Sequence, residues 1–220
     1  MSILFVLLMF LLIMSISYFF QPQNKAAQQP VAAAPARLPV LRRELGFEVP
    51  EAYWFHPGHM WAFREGQDVA RVGLDQFATN LVGKIDQVEI CGTNRWVRQG
   101  QKLVSITTDG TTIELLSPVE GVVTALNSEA LQNPQLVTDD PYQNGWLAMI
   151  KAPDLTTNRR NLMQEGMVVP WMQNNVSRLN TVLSEMQPAL AQDGGVAVRG
   201  LLPRLSVEVR AKIVREFFLS

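Results

Sequence analysis

The chain has 220 residues, 47% of them apolar and 18% charged, which is enough for a real core and too apolar for disorder. Its net charge of −1 gives no ground for a nucleic-acid or acidic-substrate partner. The single cysteine, Cys91, excludes an intrachain disulfide, and with two histidines it leaves little for a transition-metal site.

Residues 3–20 are apolar except for Ser15, Ser17 and Tyr18. That run matches the roughly 17–25 residues a helix needs to cross a bilayer, and a helix satisfies its own backbone groups in lipid. A cleaved secretory signal is the competing reading, supported by the small residues Ala32, Ala33, Ala34 and Ala36. A signal peptide, however, wants a basic start and a shorter apolar stretch, and only Met1 and Ser2 precede this run. An uncleaved single-pass anchor over 1–20 is therefore predicted. Lys25, Arg37, Arg42 and Arg43 follow the run and no basic residue precedes it. The positive-inside rule then places the main domain on the cytoplasmic side of the cell inner membrane. Residues 21–44, rich in Gln, Ala and Pro, read as a semi-extended tether.

From Tyr53 to Ile150 short β-branched runs are cut by Gly, Asn, Asp and Pro. Strands are predicted at Val69–Val72, Gln87–Ile90, Lys102–Ile106, Thr112–Leu116, Gly121–Leu126 and Trp146–Ile150. Asp109-Gly110, flanked by threonines and isoleucines, is a strong hairpin signal, because a type I′ turn needs positive φ at both central residues. The threonines on both arms predict a polar hairpin projecting from the body. Short helices are expected at Asp75–Leu81 and Asn127–Gln132.

After Pro153 the period changes. Val176, Leu179, Val182, Leu183 and Met186 form an amphipathic helix that Pro188 ends. A last helix is predicted over Val207–Leu219, with Ser206 as its cap and Val209, Ile213, Val214 and Phe217 as its apolar stripe. Packing back onto the body is the expected fate of that stripe; docking to a partner is the alternative.

The run Thr108-Asp109-Gly110-Thr111 through Ser117-Pro118-Val119-Glu120-Gly121 resembles the carrier hairpin of lipoyl domains. His59-Met60-Trp61, Val72-Gly73-Leu74-Asp75-Gln76-Phe77-Ala78, Asn133-Pro134-Gln135-Leu136 and Asp140-Pro141-Tyr142-Gln143-Asn144-Gly145-Trp146 narrow the resemblance to the glycine cleavage H proteins. It implies a mainly β fold, a barrel-sandwich hybrid of short strands over about 45–170, followed by a helical extension over 171–220. In this reading Gly100 and Gly121 make tight bends and Trp146 plugs the core. The resemblance also implies that the family's lipoyl lysine falls on Gly110. Glycine offers no amine, so no lipoate is expected, and none of Lys25, Lys84, Lys102, Lys151 and Lys212 sits at the tip. Thr108, Asp109, Gly110 and Thr111 are then either a tight turn kept for the fold or a partner-docking hairpin, where glycine permits close backbone approach. A shorter likeness over 178–195, to the opening of the NifU-type iron–sulfur scaffold, lacks the Cys-x-x-Cys that would hold a cluster.

No nucleophile–base constellation, phosphate loop or metal-ligand set is visible. His56, His59 and Cys91 make one loose pair and a lone thiol. The expectation is a non-enzymatic, non-lipoylated, membrane-tethered binding or assembly subunit of a larger protein complex. A lipoyl or aminomethyl carrier of glycine cleavage is the alternative. A small-ligand binder using the sandwich groove has no residue behind it.

Overall fold

A computed structural model describes Met9, Leu11, Leu12, Met14 and residues 41–44, 46–186 and 199–219. Residues 1–38 and 39–220 form two compact units. In the first, the four described residues are helical and exposed; the rest of the predicted anchor and most of the tether lie outside the described residues. Among the described residues no helix is long and apolar enough to cross a membrane. The end of the predicted tether is strand rather than linker, because β1 (Leu41–Glu44) pairs antiparallel with β2 (Phe47–Pro50).

The second unit is mainly β, a sandwich of short strands closed by C-terminal helices. One sheet of six strands runs in the order β3 (Tyr53–Phe55), β4 (Met60–Arg64), β5 (Val69–Leu74), β11 (Ala148–Lys151), β10 (Gly121–Leu126) and β7 (Trp96–Val97). The other has three: β6 (Gln87–Ile90), β8 (Lys102–Thr108) and β9 (Thr111–Leu116). Their facing side chains, among them Val72, Leu74, Val104, Ile106, Ile113, Leu115 and Ile150, are all fully buried and belong to one apolar cluster. β3 and β4 escape the sequence reading because Tyr53-Trp54-Phe55 and Met60-Trp61-Ala62-Phe63 are apolar at every position, and all are buried or half-buried. A strand covered on both faces loses the two-residue period that would announce it.

Helix α1 (Gln76–Val82) is capped by Asp75, whose carboxylate accepts the Ala78 amide at 2.8 Å. Asn127 caps α2 (Ser128–Gln132) in the same way. Helices α3 (Gln135–Asp139) and α4 (Leu155–Arg159) complete the loops that cross the sandwich. Helix α5 (Val168–Met186) starts two turns before the predicted stripe, with Pro170 in its first turn, where no intrahelical donor is lost. Helix α6 (Val207–Phe218) is capped by Ser206, as its sequence predicts. The apolar stripe of α6 packs home: Val209, Ile213, Val214, Phe217 and Phe218 are buried in the same cluster as the strands.

Two expectations are corrected. Trp146 is only half-buried, and the core plug is Trp61, whose indole N–H donates to the Leu74 and Pro141 carbonyls at 3.0 and 3.1 Å. Gly121 is not a bend but a place of strand contact: a Cβ there would stand 2.1 Å from the Lys151 carbonyl oxygen.

Candidate functional site

Strands β8 and β9 pair from Lys102↔Leu116 up to Thr108↔Thr111, leaving Asp109 and Gly110 as the tip. Their φ values, 46° and 71°, are both left-handed, as a type I′ turn demands. A Cβ on Gly110 would meet nothing within 4 Å, so the position is sterically open and only its backbone favours glycine.

The hairpin does not project freely. On one flank the Asp86 carboxylate accepts the Asp109 amide at 2.9 Å, and Lys84 stands 3.3 Å from the same carboxylate. The Asp109 amide and then the Lys84 ammonium hold the Asp86 carboxyl below its usual range. On the other flank Arg210 of α6 reaches across about a hundred residues of sequence. Its guanidinium donates to the Asp109 carbonyl at 3.1 Å, the Asp109 carboxylate at 3.1 Å and the Thr111 hydroxyl at 2.9 Å. It also binds the Pro203 and Leu205 carbonyls, which fix it to its own segment. The Arg210 side chain is only 12% exposed, whereas Asp109 remains 61% exposed.

Of the four tip residues singled out by sequence, Asp109 and Gly110 are exposed, Thr111 is half-buried and Thr108 is buried with its hydroxyl unpartnered. Thr108 thus corrects the expectation of polar threonines on both exposed arms; it faces the core side of β8. None of the four carries an amine, so they do not fit amide attachment of lipoate. Lys102 lies at the far end of the hairpin, paired with Glu114. Lys151 and Lys212 are paired with Asp68 and Glu185 away from the tip. Lys84 is the lysine that approaches the tip among the described residues, through Asp86. Neither Arg210 nor Lys84 could be placed there from sequence, since no local pattern links them to Asp109.

The histidines are structural neighbours rather than a ligand set. His59 Nδ1 sits 2.7 Å from the Asp75 carboxylate, both fully buried. The imidazole stacks between Phe77 and Trp171, at 4.6 and 4.9 Å, and its Nε2 has no partner. His56 Nδ1 accepts the Gly58 amide, and burial, then His59, pushes its pKa down to about 4. Cys91 is half-buried, and burial raises its thiol pKa against the opposing pull of Arg95. Among the described residues no group of three or more His, Cys, Asp or Glu could hold a metal ion.

The "Glycine cleavage system H protein" of Mycobacterium avium is 31% identical over 107 residues, 49% of this chain and 81% of its own. The "Glycine cleavage system H-like protein" of Chlamydia pneumoniae is 30% identical over 113 residues, 51% of this chain and 98% of its own. The crystal structure of an H protein from Mycobacterium marinum aligns with 58% of this chain and 98% of that one, at 19% identity and a TM-score of 0.49. The family model described as "Glycine cleavage H-protein" matches residues 53–175, so Arg210 and all of α6 lie beyond the matched region. With over half its length matched, the chain belongs to the glycine cleavage H-protein family.

Proposed function

We propose that this chain is a non-lipoylated, membrane-tethered H-protein-like subunit that binds or assembles partners within a larger complex. Family membership taken alone weighs toward the second reading, a lipoyl or aminomethyl carrier in glycine cleavage. One observation turns us from it: the hairpin tip that the resemblance assigns to the carrier lysine is Asp109-Gly110, which has no amine to acylate. Arg210 and Asp86 hold the tip backbone from both sides, which presents it as a fixed surface to a partner.

The tether reading rests on the apolar run 3–20 and on the basic residues that follow it. The domain then sits on the cytoplasmic face of the inner membrane. Intact-mass measurement of the purified chain separates the two readings. An unmodified mass, together with stable partners recovered from detergent-solubilised membranes, is expected. A lipoyl increment on any residue refutes the non-carrier reading, and a lone monomer refutes the subunit reading.

A further inference from the structure

At the end of the hairpin away from its tip, Trp96, Arg98, Gln99, Gly100 and Gln101 line an open groove. Seven strand residues separate this mouth from the tip, on the order of 23 Å. The groove floor is already fixed. The Gln99 amide donates to the Pro118 and Asn158 carbonyls at 2.8 and 2.9 Å and accepts from Asn161 at 2.7 Å. The Gln101 side chain accepts the Arg98 amide at 3.0 Å. With both glutamines committed inside the molecule, Trp96 and Arg98 are the side chains left to meet something else. Trp96 is 49% exposed, though it sits on a strand paired with β10.

Charge says what that something is. Lys84, Lys102 and Arg210 along the hairpin each have a carboxylate partner within 4 Å. At the groove the opposite holds: among the described residues, Arg98, which lines it, has no carboxylate within that distance. Arg160, on the turn whose neighbours Asn158 and Asn161 bond to Gln99, instead faces Asp154 and helps to hold its carboxyl down. The nearby acids are fewer, Glu120 and Asp154, and Asp154 is engaged as the cap of α4. An exposed tryptophan beside an unpaired arginine over a preorganised floor has the composition of a binding hot spot.

We infer that this groove docks an acidic segment of a protein partner, a carboxylate meeting Arg98 and an apolar side chain covering Trp96. The inference rests on the subunit reading and names the chemistry of the partner.

The probe is a fluorescently labelled synthetic peptide of alternating Glu and Leu, titrated into the full-length chain in neutral detergent. A Lys/Leu peptide of equal length is the counterpart. Binding of the Glu/Leu peptide is expected, weakening with salt and by about tenfold in Arg98→Glu and in Trp96→Ala. Arg64→Glu, an exposed arginine at the end of β4, is expected to leave it unchanged. The inference falls if the Lys/Leu peptide binds as well, if Arg98→Glu changes nothing, or if Arg64→Glu does as much as Arg98→Glu. In vesicles, quenching of the Trp96 signal, taken as wild type minus Trp96→Phe, is compared between neutral and anionic lipid. Shielding by anionic lipid alone would assign the patch to the membrane and overturn the inference. Partners recovered undiminished from membranes of the Arg98→Glu variant would sink the groove and leave the subunit reading standing. Peptide binding at the groove by a chain that purifies without partners would do the reverse.

Discussion

Gly110→Lys restores an amine where the family resemblance expects one, and the structure sets its cost. Gly110 has φ 71°, and a Cβ there meets nothing within 4 Å. The penalty is therefore that of one non-glycine residue in the left-handed region, about 1–2 kcal/mol. For a unit of this size that corresponds to a melting shift of roughly 2–8 °C. Gly121→Ala is the contrasting control, because its Cβ would collide with the Lys151 carbonyl at 2.1 Å and two paired strands would have to part. That should cost several times more, on the order of 3 kcal/mol or above. Urea unfolding followed by near-ultraviolet dichroism reads both. A second assay uses co-expression with a lipoyl-attachment enzyme and intact mass. Wild type should stay unmodified, and the lysine variant should take a lipoyl group, more fully when combined with Arg210→Ala, which frees the tip. Two results would refute the reasoning: a loss for Gly110→Lys as large as for Gly121→Ala, or refusal of the lipoyl group in both Arg210 backgrounds.

Further outcomes follow from the buried polar groups and the C-terminal helix. His56, pushed to about 4 from 6.5, stays neutral in the folded state while the unfolded chain takes up a proton. Above pH 6.5 both states are neutral and nothing changes; stability then falls as pH drops from about 6.5 to 4, by up to about 3 kcal/mol. Urea midpoints across that window should flatten in His56→Gln. Asp75→Ala removes the cap of α1 and the partner of buried His59 together, and should cost about 2–4 kcal/mol by thermal denaturation. Phe217→Ala empties a site between Phe77, His59 and Arg178, and should cost about 3–5 kcal/mol. An effect below 1 kcal/mol would show α6 to be a dispensable appendage.

Much of the fold was legible because it is local. Asp109-Gly110 specifies a turn wherever its flanking strands pair, Ser206 caps the helix that follows it, and the stripe of α6 declares a buried face. The missing amine at position 110 is a covalent fact that no folding can alter. What stayed hidden depends on residues distant in sequence. Arg210 meets Asp109, Asp86 caps the tip amide, and Gly121 lies against Lys151 only because the sheets bring separate segments together. Tyr53–Phe55 and Met60–Arg64 gave no alternating signal since both faces of those strands are covered, and Trp146 yields the core to Trp61 because burial is decided by the partner surface. The sequence by itself determined the Asp109-Gly110 turn and the Ser206 cap, since each is set by chemistry within a few residues. Only the tertiary structure decided that the tip is clamped and that Trp96 and Arg98 stand open, since pairing and exposure are properties of assembled surfaces.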